Sequence, residues 1–292
     1  MKLRIVILAA VVLLAQVAAP SASAKPTCVL TKDRISAEDM TAMVQGPVDL
    51  LAHRQLEEAQ AEVERLIKAR ASPSQAAKLA AADTLLAFAI ELPVALPADH
   101  PDQARYLEVA LVYGRRALAA YVDIFGPEHP EVVLTMTTLA EMVEFTNPDS
   151  PPDEAVELAE KSYALSRKLL GDANVETAHR LNILARIVGR PGRTRGDAAA
   201  IERSSRMFEK ALRDWQAVPC ETSGIGTVLW EHLDMLVDNR RPDEAVQTFV
   251  RLSHLVGEDR EQVALFFAGS LREGGYDALA DKVQALVGGD PI

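Results

Sequence analysis

The sequence predicts an all-α fold, a superhelical array of antiparallel helix pairs resembling a solenoid. Three observations predict it. Ala and Leu are plentiful while aromatic residues make up only 5% of the chain, a bias toward residues that lose little entropy on entering a helix. Apolar residues recur at helical spacing, and no run alternates with period two over strand length. The helical segments also fall into pairs. Gly126 and Gly171 close two of these pairs 45 residues apart, inside the range of about 20–50 residues typical of stacked supersecondary units.

Taken in order, the chain opens on a leader. Lys2 and Arg4 precede an apolar run from Ile5 to Ala18, and Ala22-Ser23-Ala24 puts small residues where a signal peptidase cuts. Residues 1–24 are therefore expected to be a cleaved signal peptide, which makes the mature protein periplasmic or secreted. The apolar run is shorter than the roughly 20 residues of a spanning helix, so no integral membrane span is expected after cleavage. An exported chain meets oxidising conditions, where Cys28 and Cys220 are expected to pair as a disulfide; two separate thiols are the alternative. The formal charge is −11, and loss of Lys2 and Arg4 makes it more negative still. Such a chain repels phosphate backbones, so nucleic acid is excluded as a general partner.

Residues 25–102 form an N-terminal helical region, either a degenerate repeat or a cap. Asp49 to Ala69 reads as one amphipathic helix, with Leu50, Leu51, Leu56, Ala59, Val63 and Leu66 on one stripe. Ser72-Pro73-Ser74 breaks it and supplies a cap for the next helix. That helix, Gln75 to Leu92, is nearly all apolar and expects burial between neighbours. Residues 103–256 are expected to be the repeats. Helices run from Gln103 to Phe125, Glu131 to Phe145, Asp153 to Leu170, Val175 to Val188, Asp197 to Ala217, Gly226 to Asp238 and Asp243 to Val256. The stops are Gly126-Pro127, Asn147-Pro148, Gly171 and the loop Gly189 to Gly196. Two further helices, Arg260 to Arg272 and Tyr276 to Val287, make residues 257–292 a C-terminal cap on the open end of the array.

The residues Ala117-Leu118, then Ile124 through Val132, then Leu139-Ala140, resemble the tetratricopeptide repeat (TPR) in its kinesin-light-chain variety. The second-helix pattern of that family, small then aromatic then small, is matched by Ser204, Phe208 and Ala211. Trp230, Leu233, Asp234 and Val237 match the first-helix spacing, with Asp in place of the small residue and Val in place of the aromatic. The resemblance implies a concave groove lined by the first helix of each pair, and a protein or peptide partner within it. By that register Thr137, Glu141, His179, Asn182, Arg186, Glu231 and Met235 line the groove. Asn182 falls where light-chain repeats often carry an asparagine that holds a peptide backbone. An amide suits the task, since it both donates and accepts.

No metalloprotease His-Glu-x-x-His, nucleophile elbow or phosphate loop is present in the sequence. No cofactor or metal is expected, and the chain is read as a binding protein, not an enzyme. His129, flanked by Glu128 and Glu131, is assigned a structural place in the turn. The arginines Arg180, Arg186, Arg190, Arg193, Arg195, Arg203 and Arg206 form a basic cluster, expected to pair with the chain's own carboxylates; docking of an acidic partner is the alternative.

Overall fold

The structure, a computed structural model, describes residues 37–97, 99–146, 152–190, 197–218 and 224–288. The expected signal peptide, both cysteines, Arg193 and Arg195 lie outside those residues. Among the described residues there is no strand, and helices make up most of the chain. They form two compact units divided after Thr146. The division falls inside the stretch expected as repeats.

The first unit holds α1 (Ala37–Met43), α2 (Gln45–Ala52), α3 (Leu56–Ala69), α4 (Gln75–Glu91), α5 (Gln103–Phe125) and α6 (Pro130–Thr146). The single helix expected over Asp49 to Ala69 is a pair in the structure. Arg54 takes a positive φ of 61°, and the amides of His53 and Gln55 both bond the Leu50 carbonyl. This closes α2 one turn before α3 begins. No Gly or Pro marks the break, so the sequence pattern ran through it. α3 buries Leu56, Ala59 and Val63, and carries Glu57 and Glu58 in its first turn and Lys68 in its last, matching the helix dipole at both ends.

Ser74 caps α4 as expected, its hydroxyl accepting from the Ala77 amide at 3.2 Å. Every residue from Ala82 to Ala89 is buried, which follows from α4 packing against α1, α3 and α5. The polar members of that run are matched: Tyr121 donates to Asp83 at 2.7 Å and Arg70 donates to Thr84 at 2.5 Å. Gly114 lets α5 approach α6, because a Cβ there would meet Leu139 at 3.2 Å. On the other side of α5, Arg116 grips Glu64 of α3 through both terminal guanidinium nitrogens. That grip holds the Glu64 carboxyl below its ordinary pKa.

The second unit holds α7 (Asp153–Leu170), α8 (Val175–Val188), α9 (Ala198–Gln216), α10 (Ile225–Asp238), α11 (Pro242–Leu252), α12 (Arg260–Glu273) and α13 (Asp277–Gly288). α8 packs against α7, α9 and α10; α10 packs against α9, α11 and α12; α13 packs against α12. One apolar core runs through the unit, with Phe208, Leu212, Leu229, Leu233, Phe249 and Phe267 at its centre. The helix expected over Asp243 to Val256 ends at Leu252. The chain then tightens into a 3₁₀ stretch, Ser253–Asp259, broken by Gly257 at φ 53°.

The repeat expected from the glycine spacing has a geometric counterpart. Gly126 (φ 82°, ψ 165°) and Gly171 (φ 85°, ψ 173°) end their helices in the same backbone conformation, each amide bonding the carbonyl four residues back. A positive φ with ψ near 180° is accessible essentially to glycine alone. Three residues on, the equivalence continues. His129 Nδ1 accepts from the Glu131 amide at 3.2 Å, and Asn174 Oδ1 accepts from the Glu176 amide at 2.8 Å. Two different side chains, 45 residues apart, thus cap equivalent helices. His129 also stacks on Phe125, with ring centroids 4.1 Å apart. Its flanking carboxylates therefore surround a capping residue.

Candidate functional site

α8 is the helix on which the expected site turns, and eleven of its fourteen residues are buried. Asn182 and Arg186 point from it to α10. Asn182 Nδ2 donates to Glu231 Oε2 at 2.5 Å, and Arg186 donates to Glu231 Oε1 at 3.1 Å. A carboxylate only accepts, so this contact fixes which way the amide faces: nitrogen toward Glu231, oxygen away. Asn182 Oδ1 is buried and has no hydrogen-bond partner. A buried acceptor left unmatched costs roughly 1–3 kcal/mol.

The remaining expected residues are placed as follows. Met235 is buried on α10. His179 is partly exposed; its ring meets Trp215 of α9 edge-on at 6.2 Å. Partial burial, then the neighbouring Arg180, lowers its pKa. Thr137 and Glu141 lie on α6 of the first unit, and both are buried. Thr137 donates back to the Val133 carbonyl at 3.0 Å. The structure thus joins Asn182, Arg186 and Glu231 into one network.

The C-terminal end of α8 is held from two sides. Ser204 of α9 donates to the Ala185 carbonyl at 2.8 Å. Asn239, just past α10, donates to the carbonyls of Gly189 at 2.9 Å and Met235 at 2.8 Å. Gly189 makes this possible, because a Cβ on it would lie 2.5 Å from Ser204 Oγ and 2.7 Å from Met235 Cγ. Sequence reasoning missed this clamp. Its signal was the glycine that directly follows the apolar end of the helix, Ile187-Val188.

Four arginines of the basic cluster meet carboxylates of the chain itself. Arg180 bonds Glu176, Arg186 bonds Glu231, Arg203 bonds Glu160 at 3.0 Å, and Arg206 lies 3.6 Å from Glu202. Among the described residues no group of His, Cys, Asp and Glu could hold a metal ion, and no helix is long and apolar enough to cross a membrane.

These features define an all-α protein of stacked helical hairpins with a polar network between the first helices of neighbouring pairs. No protein-family model matches the chain, and no curated protein matches it. Among solved structures, it is similar to the nearly identical TPR-like repeats of a putative kinesin light chain of Podosopora anserina. That similarity has a TM-score of 0.49 at 15% identity, over 76% of this chain and 97% of that one. A singly substituted form of those repeats matches with a TM-score of 0.46 at 18% identity, over 65% of this chain and 90% of that one.

Proposed function

We propose that this chain is exported to the cell envelope and binds a protein or peptide along the face shared by α8 and α10. The observation that carries this reading is the Asn182 amide, its nitrogen pinned by Glu231 and its oxygen unmatched. Once binding parts the helices enough to uncover this oxygen, a main-chain N–H of an extended peptide supplies the missing donor. Arg186 balances the charge of Glu231, so the site favours an uncharged backbone over an ion. Stacked helix pairs offer extended binding surfaces of this kind. Export rests on Lys2, Arg4, the apolar run to Ala18 and Ala22-Ser23-Ala24.

The test is affinity capture from envelope extract with wild-type and Asn182→Ala protein, followed by measured affinities for the captured partner. A loss of tenfold or more, about 1.4 kcal/mol, supports the site; unchanged affinity removes Asn182 from it. N-terminal sequencing of the exported protein checks cleavage after Ala24.

A second reading makes the chain an architectural subunit that binds through an end. Leu265 and Phe266 of α12 are exposed, and Phe266 lies 6.0 Å from the Trp230 ring. Apolar side chains grouped in this way favour a contact there. Cross-links mapping to α12 and sparing α8 would select this reading.

A further inference from the structure

We propose that the second unit contains an acid-triggered switch, in which protonation of His232 loosens α10 from α9.

The argument begins with what surrounds the ring. His232 is 1% exposed and stacks flat on Phe208 of α9, centroids 5.1 Å apart and planes within 11°. Neither ring nitrogen has a hydrogen-bond partner. A neutral imidazole tolerates this place as a flat, mostly apolar ring. An imidazolium has two N–H donors and a full charge, and nothing there receives them. The charged groups that reach it come from two neighbouring helices. Glu209 of α9 favours protonation and Arg251 of α11 opposes it. These two are bonded to each other at 2.6 Å, so much of the help Glu209 could give is already engaged. Burial, the dominant cause, lowers the His232 pKa to about 4.

The sign follows from which state binds the proton better. A loosened state that hydrates the ring restores a pKa near 6.5. Between about pH 6.5 and 4 the loosened state therefore holds more protons than the closed one. The closed state keeps its full advantage above 6.5 and loses it as the pH falls, with the loss levelling off below 4. At pH 5 the two values favour loosening by about 30-fold relative to pH 8. His179 of α8, edge-on to Trp215 of α9, shifts the balance in the same direction. The charges acting on it, Arg180 and Arg186 against protonation and Glu176 for it, all come from α8 itself. The device operates whether or not the α8–α10 face holds a peptide.

The test is native-state hydrogen exchange on the full chain at pH 8 and pH 5, corrected for intrinsic rates. Amides of α10 and α9 are expected to lose protection by about 30-fold or more at pH 5, while those of α5 in the first unit hold theirs. In a His232→Leu variant the loss should fall by about that factor. Histidine NMR titration of the wild-type protein gives a readout that needs no variant, with a His232 midpoint expected below pH 5. A His232 midpoint near 6.5 in the folded chain, or equal loss of protection in His232→Leu, overturns the proposal.

Discussion

Replacing Gly189 with alanine sets two effects of opposite sign against each other, and the structure decides between them. At φ −79° and ψ 0° the backbone suits an L-residue, and an alanine there would ordinarily stabilise the fold by about 0.4–1 kcal/mol through the unfolded chain. Against this, its methyl group would sit 2.5 Å from Ser204 Oγ, 2.7 Å from Met235 Cγ and 3.1 Å from the Ala185 carbonyl oxygen. Ser204 cannot turn away cheaply, because its buried hydroxyl would give up the Ala185 carbonyl and be left unmatched. Overpacking costs about 1–3 kcal/mol and an orphaned buried hydroxyl about 1–3 kcal/mol. Gly189→Ala should therefore destabilise the second unit by about 2 kcal/mol. Urea unfolding followed by tryptophan emission measures it cleanly, since the only two tryptophans, Trp215 and Trp230, both lie in that unit. In a Ser204→Ala background the same substitution should cost less, with a coupling of about 0.5–2 kcal/mol. A Gly189→Ala protein as stable as wild type, or strictly additive losses in the pair, would refute the clamp.

His129→Ala should cost the first unit about 1 kcal/mol, the usual value of a lost helix cap, seen as a lower midpoint in far-UV circular dichroism melts. His129→Asn should recover most of it, because asparagine already does this job at position 174; failure to recover would break the equivalence of the two turns. Glu231→Ala removes the acceptor shared by Asn182 and Arg186, and should cost about 3–5 kcal/mol in urea unfolding, as breaking a buried pair does; a loss below about 1 kcal/mol would mean the network contributes little.

Much of the fold was legible because helix stops here are chemically explicit. Gly126-Pro127, Gly171 and Ser72-Pro73-Ser74 mark boundaries that residue patterns alone can place. The break at Arg54 was not legible, because a non-glycine residue takes the positive φ, and apolar spacing continues across it. The 3₁₀ tightening after Leu252 was hidden for a similar reason: Leu255 and Val256 extend the helical pattern although the backbone departs from it. At the candidate site, repeat register picked out Asn182, Arg186 and Glu231 as related, and the structure joins them. Their burial depends on which helices close over α8, a tertiary matter that spacing does not encode. His232 was passed over for the same reason, since a lone histidine on a helix gives no sign of the phenyl ring beneath it.

The two turn glycines differ from Gly189 in kind. A Cβ on Gly126 or Gly171 would meet nothing within 4 Å, so the demand at these corners is one of handedness, not of room. Ordinary alanine there should be strained by about 1–3 kcal/mol despite the empty space around it. Its mirror image, D-alanine placed by peptide ligation, would find the same corner congenial and would stiffen the unfolded chain as well. These two corners discriminate between enantiomers of one small residue, using nothing but the main chain.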